Sequence, residues 1–237
     1  MGIGKDLVLS VGAENLEKAS EGLLETALDS VLDEGVLRDI PVIGTIVAGA
    51  KAFGSVRDYF LCRKVQKFLS EASKLTWAER ASVVAELAGS EKQKERLGEI
   101  VMDLLDKADL ELKPILIGRL FVAVGRGRVP AGDYLRLCSM INGAFVDDLV
   151  GLSKSHSADS LSVDRRFAMQ ANGFLIFGIK NPPNSERSGA SVLALAKALY
   201  DEPFELIWQL SKDARVILEH CFDPPAPNPL FESVAEY

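Results

Sequence analysis

Histidine and cysteine are scarce in this chain of 237 residues, with two of the first and three of the second. His156 and His220 stand 64 residues apart, and Ser155, His156 and Ser157 are neighbours in a loop-like stretch. Adjacency along the chain does not make a Ser/His dyad, whose members must face each other. Cys62, Cys138 and Cys221 are isolated and lack CxxC spacing, which reads as reduced, buried thiols and excludes both a disulfide framework and a cysteine zinc site. Long apolar runs are missing too. The uncharged core from Ile40 to Ala50 is 11 residues, against the roughly 20 that a membrane-spanning helix needs. The first residues hold one lysine and no apolar run of signal-peptide length before Glu14, so a cytoplasmic location is expected.

Nucleotide and metal motifs are equally absent. Gly44 to Lys51 resembles a phosphate-binding loop, but Ala50 separates Gly49 from Lys51, and Ala52 replaces the hydroxyl that would hold magnesium. Asp147 and Asp148 are adjacent on a helix-forming stretch, so they diverge and make a poor acid/base or metal pair. These absences predict a non-enzymatic protein with no catalytic residues, no cofactor and no metal.

What the chain does have is charge in blocks. Residues 1–40 carry 3 basic and 9 acidic groups, and residues 41–70 carry 5 basic and 1 acidic. Residues 71–112 return to 6 against 10, residues 113–131 hold 4 basic and no acidic, and the rest hold 9 against 14. With a net charge of −7, binding to nucleic acid or to an anionic membrane has to be local. Adjacent blocks of opposite sign are expected to pair within the fold.

Apolar spacing of 3 and 4 residues dominates, and 48% of the chain is apolar, so the expected fold class is mainly α: a multi-helix bundle with a small β-hairpin in its C-terminal half. Glu17, Glu21, Glu25, Asp29 and Asp33 form an acidic stripe on a first amphipathic helix. Like charges four apart repel, which calls for cations opposite them. Gly35 ends that helix and Pro41 suits the first turn of the next. From Pro41 to about Leu69 a second helix is expected, with Gly44, Ala48, Gly49, Ala52 and Gly54 small enough for close helix packing. Ile43, Ile46, Val47 and Phe53 supply its apolar face, and Arg57, Arg63, Lys64 and Lys67 follow as a basic collar.

Thr76 with Glu79, and Ser90 with Gln93, read as capping boxes opening helices to about Leu87 and Asp106. Lys113 and Pro114 start an apolar helix that stops at Gly125, before Arg126 and Arg128, a basic turn that reads as solvated, with a phosphate grip as the alternative. Pro130 to Leu152 reads as one long helix with Phe145 on its buried side. Next come a helix from Ser162 to Ala171, a strand from Gly173 to Lys180, a polar loop and a helix beginning after Ser191. Glu205 to Cys221 reads as a last amphipathic helix, followed by a proline-rich tail. This order is compatible with a winged-helix-like unit bearing Arg165 and Arg166 on the helix that would face DNA. Its acidic surroundings favour packing or protein contact instead.

The run from Asp39 to Glu71, with Pro41, Ile43 and Gly44, Arg57 and Asp58, and Lys67, Phe68 and Leu69 as landmarks, and then the runs Lys113–Leu152 and Leu193–Tyr200, resemble a family of uncharacterised bacterial cytosolic proteins. The resemblance spans about residues 38 to 200. Ala194 and Ala196 stand where that family has threonine or proline and glycine, which weakens the winged-helix analogy. It implies a bacterial or phage-related, intracellular, mainly helical protein, and no activity comes with it. The expected domains are residues 1–128, residues 129–221 and a tail at 222–237. The expected function is interaction or regulation: a protein partner or anionic membrane surface bound through the 40–60 helix and its basic flank, with winged-helix DNA binding as the alternative.

Overall fold

Helix starts are written locally, and they place most of the chain. In a computed structural model, which describes residues 2–14, 16, 40–53, 56–109, 112–180 and 205–222, Thr76 accepts from the backbone of Glu79 while Glu79 bonds back to Thr76. Ser90 accepts from the amide of Gln93 as an N-cap, but the Gln93 side chain takes the Ser90 hydroxyl and not its amide, so the expected box is only half formed there. Pro41 opens its helix at the first position, where its missing N–H costs nothing.

Among the described residues the architecture is mainly α, with ten α-helices and one two-stranded antiparallel ribbon in the C-terminal half. The helices are α1 (Ile3–Val11), α2 (Pro41–Phe53), α3 (Val56–Ala72), α4 (Trp77–Leu87), α5 (Glu91–Lys107), α6 (Leu112–Gly125), α7 (Tyr134–Gly143), α8 (Val146–Ser155), α9 (Val163–Ala171) and α10 (Lys212–Cys221). The strands are β1 (Leu175–Lys180) and β2 (Glu205–Leu210), and two 3-10 turns lie at Ala131–Asp133 and Ala158–Ser160. The chain divides into two compact units, one within Met1–Val146 and Val216–Tyr237, the other within Asp147–Arg215.

In the first unit α1 packs against α5 and α2, and α3 against α6. The α1–α5 crossing is made by glycine on both sides. A Cβ added at Gly98 would lie 1.9 Å from the carbonyl oxygen of Gly4, and one at Gly4 would lie 2.5 Å from the backbone nitrogen of Glu99. Only bare backbone fits there. On the other side of α1, Ser10 accepts from the amide of Val42 at 3.0 Å, and Thr45 donates to Asp6 at 2.9 Å, so two polar bonds fix the entry of α2. Phe68, Phe121 and Tyr134 meet edge to face in the core, with ring centroids 6.0 Å apart in each pair.

Arg80 of α4 is fully buried. Its guanidinium donates to the carbonyls of Val11 and Ala13, each at 2.8 Å, and to that of Leu75. Burying a guanidinium is tolerable only when its donors are met, and here they close the end of α1 and the turn between α3 and α4 together. Lys113 is buried for a similar reason, its ammonium 2.7 Å from Asp109 and donating to the carbonyl of Asn142 at 2.9 Å.

Three expected elements differ. The single helix expected from Pro41 to about Leu69 is two helices, α2 and α3. The long helix over residues 130–152 is broken at Ala144 and Phe145, and Phe145 is 75% exposed where burial was expected. The stretch Glu205–Cys221 is not one helix. Its first six residues form β2, paired in register from Leu175↔Leu210 to Lys180↔Glu205, and only Lys212–Cys221 is helical. Ser211 accepts from the amide of Ala214 at 3.0 Å, an N-cap that separates the strand from the helix.

Candidate functional site

The predicted partner-binding face lies largely inside the fold. Ile43 is fully buried, and Ile46 and Val47 are each 5% exposed, so their side chains form core between α2 and its neighbours and face no partner in this conformation. The small-residue contact is also placed elsewhere. Ala48 is exposed, and a Cβ at Gly49 would meet nothing within 4 Å, whereas the close backbone approach falls at Gly4 and Gly98. The backbone of Phe53 ends α2, and its side chain lies outside the described residues, as does the acidic stripe from Glu17 to Asp33.

The basic collar is spent on another helix end. Arg57 pairs with Asp106 through Nη2, and its Nε lies 3.4 Å from the same carboxylate. The pairing raises the Arg57 pKa above its ordinary value, with the hydrogen bond to Asp106 the main cause. Lys64 donates to the carbonyl of Asp106 at 2.8 Å, a cation at the C-terminus of α5 where the helix dipole favours it. Arg63 and Lys67 are half-buried and take part in interactions as well. In these contacts the basic block pairs with the acidic block that follows it.

In the second unit the two candidate DNA-contacting arginines serve the local fold. Arg166 donates through Nε to the carbonyls of Ala158 at 3.0 Å and Leu161 at 2.9 Å, and lies 3.6 Å from Asp159. Arg165 lies 3.3 Å from Asp148, whose carboxylate is nearly buried. Asp147 points to solvent while Asp148 is buried, as adjacent helix positions require.

What this unit does present is aromatic. Phe177 of β1 sits directly opposite Trp208 of β2, their ring centroids 5.6 Å apart, and Phe167 of α9 meets Trp208 edge to face at 5.0 Å. Directly opposed residues share one face of the ribbon, so helix and ribbon meet through these three rings. Phe167 and Phe177 nonetheless stay 46% and 51% exposed, and Val163, one turn before Phe167, is 57% exposed. Ile176, on the other face of β1, is 53% exposed. Apolar periodicity alone does not find this group, because Trp208 lies in a stretch that reads as helix. The alternation Leu206, Trp208, Leu210 was the available signal.

Reactive chemistry finds little support in these groups. Burial pushes the Cys62 thiol up to about 11 and the Cys221 thiol to about 12, and burial likewise raises Cys138. All three are free and buried, and a thiol held protonated is a poor nucleophile. Ser155 donates within its own turn, to the carbonyl of Gly151 and toward Ser157 and Ser160. His156 follows with φ at 51°, a left-handed conformation uncommon for a residue with a side chain.

No family model, curated protein or solved structure matches this chain. Among the described residues no group of three or more His, Cys, Asp or Glu is placed to hold a metal, and no helix is long and apolar enough to cross a membrane.

Proposed function

We propose that the protein is a non-catalytic interaction or regulatory protein of a reducing, cytoplasmic compartment, which docks an extended apolar segment of a partner protein against β1 and the rings beside it. The observation that carries this reading is the group Val163, Phe167, Ile176 and Phe177, each close to half exposed or more, on one helix and one strand. Exposed apolar side chains grouped on a surface mark interaction sites; here Val163, Phe167 and Phe177 lie on one face of β1 and its neighbouring helix, and Ile176 adds an exposed apolar side chain on the other face. A ribbon of two strands is marginal in water by itself and has outer edges that can accept a further strand. Among the described residues β1 and β2 have no other strand neighbour. Strand addition would supply main-chain bonds, and alternate apolar side chains of the partner would meet Phe177 or Ile176 on the two faces. Three free, buried cysteines support the compartment.

A photo-crosslinking side chain at Ile176, in the full chain expressed in cells, tests the surface. The expected outcome is one reproducible protein adduct. With that partner purified, Phe167→Ala with Phe177→Ala should weaken binding at least tenfold, as truncation of aromatic anchors does. Trp77→Ala, at an exposed position of the other unit, should leave it unchanged. Adducts only with a second copy of the chain, or with lipid, would overturn the reading. The DNA-binding alternative, through Arg165 and Arg166, has less support, because Arg165 pairs with Asp148 and Arg166 bonds the carbonyls of Ala158 and Leu161.

A further inference from the structure

A second feature lies in the first unit, at the C-terminal end of α6. Helix α6 comes against α3 at Gly118, where an added Cβ would lie 3.0 Å from the carbonyl of Phe68 and 2.6 Å from the Cβ of Glu71. That approach sets Arg119 beside Glu71. The guanidinium Nε lies 3.6 Å from the Glu71 carboxylate, and Nη1 donates to the carbonyl of Cys221 at 2.9 Å. Glu71 also holds Lys74 at 2.5 Å. At Gly125 the helix end is pressed on Leu75, whose Cδ1 would lie 2.4 Å from an added Cβ.

The helix then terminates in a Schellman motif. The amide of Arg128 donates to the carbonyl of Ala123 and that of Gly127 to Val124, both at 2.9 Å, with Gly127 at φ +67°. This is the 6→1 and 5→2 pattern with glycine in the left-handed position. It fixes the backbone of Arg126 and Arg128 on either side of the glycine. Together Glu71, Lys74, Arg119, Arg126, Arg128 and His220 line a cavity of about 110 Å³.

Four permanent cations against one carboxylate leave this cavity at net +3, in a chain whose net charge is −7. Glu71 answers Lys74 and Arg119. Glu79 is near enough to feel the charge of Arg126 without forming an ion pair with it, and Arg126 and Arg128 are both exposed. One effect opposes anion binding: the end of α6 carries roughly half a negative charge from its dipole. Against three net positive charges that contribution is outweighed. Guanidinium groups match a phosphate's oxygens with paired donors, and the space suits a tetrahedral oxyanion in place of a few waters.

We propose that this cavity binds a phosphate group, free or carried as a small-molecule monoester. Arg126 and Arg128 supply the primary contacts, while Arg119 and Lys74 provide the positive floor. The site is independent of the aromatic surface of the other unit.

Calorimetric titration of the full chain, in a chloride buffer free of phosphate, with inorganic phosphate and separately with phenyl phosphate, tests it. At least one probe should bind saturably, and the tighter of the two identifies the source. Arg126→Gln with Arg128→Gln should weaken that binding at least tenfold while leaving the melting temperature without ligand within a few degrees. Lys74→Gln should weaken it less, and Arg136→Gln should leave it unchanged. Absence of saturable binding by both probes up to millimolar concentration would overturn the proposal. So would an affinity indifferent to the double substitution, which would reduce the arginines to helix-end neutralisation.

Discussion

Gly98→Ala and Gly49→Ala make the same chemical change in two helices, and the structure requires opposite results. A methyl group on a helical glycine is intrinsically favourable by about 0.8–1 kcal/mol. At Gly49 that gain stands alone, because an added Cβ meets nothing within 4 Å. At Gly98 the Cβ would lie 1.9 Å from the Gly4 carbonyl oxygen and 2.6 Å from its carbon, against at least 3.4 Å for ordinary contact. The obstruction is backbone, so no rotamer change relieves it, and α1 must move off α5 by about 1.5 Å. Forcing a methyl group into a packed interface costs about 1–3 kcal/mol, and the displacement needed here puts this substitution at the upper end. With the helix gain deducted, Gly98→Ala should destabilise by about 2 kcal/mol. Gly49→Ala should stabilise by about 0.5–1 kcal/mol. At about 2–4 °C per kcal/mol for a chain of this size, the melting temperature falls about 4–8 °C in the first case and rises about 2 °C in the second. Urea denaturation followed by far-ultraviolet circular dichroism measures both. A Gly98→Ala variant as stable as the parent would refute the glycine crossing, and a destabilised Gly49→Ala would mean that α2 does have a close neighbour at that point.

Arg80→Met removes three hydrogen bonds from a guanidinium; the carbonyls of Val11 and Leu75 lose the donor it supplied, while that of Ala13 keeps the amide of Leu16. At about 1.5–3 kcal/mol per charged hydrogen bond, discounted for water entering the site, the loss should be about 3–5 kcal/mol; a drop under 1 kcal/mol by denaturant titration would contradict the assignment. The Cys62 thiol, ordinarily near 9.0, is raised to about 11 by burial, so its contribution is intact below pH 9 and is lost as pH rises through 11. Cys62→Ala should therefore show a shallower alkaline fall in stability than the parent, relative to its own value at pH 7. Glu79 is held below its ordinary 4.5 by the hydrogen bonds of Thr76; that contribution is present above pH 4.5 and lost as pH falls below it. Glu79→Gln should flatten the acid limb of the stability profile, and an unchanged limb would exclude the capping box as its source.

Features whose partners are close in sequence were legible without the structure. Thr76 with Glu79, Ser90 with Gln93, Pro41 at a first turn and the β1 run each follow from short-range chemistry, and together they suffice for a mainly helical fold. Contacts between distant segments were not legible. Gly4 and Gly98 are unremarked glycines until two helices cross, whereas Gly49, in the segment that drew attention, has open space beside it. The stretch Glu205–Leu210 can be helix or strand by its apolar content, and pairing with β1 decides it. Ile43, Ile46 and Val47 satisfy the pattern of a docking face and of a core face alike, so only the presence of α1 and α3 assigns them to the core. The cationic cavity left one trace, an acid-free block over residues 113–131, but Lys74 and His220 come to it from well outside that block.

The buried guanidinium of Arg80 also sets an order of events. Its acceptors at Val11 and Ala13 lie 69 and 67 residues earlier in the chain, and the glycine partner of α1 lies beyond it at Gly98. During synthesis α1 therefore emerges well before the groups that lock it, although α2 is there to pack on it much sooner. Its packing is complete only when α4 and α5 have followed, so α1 is made early and fixed in place late.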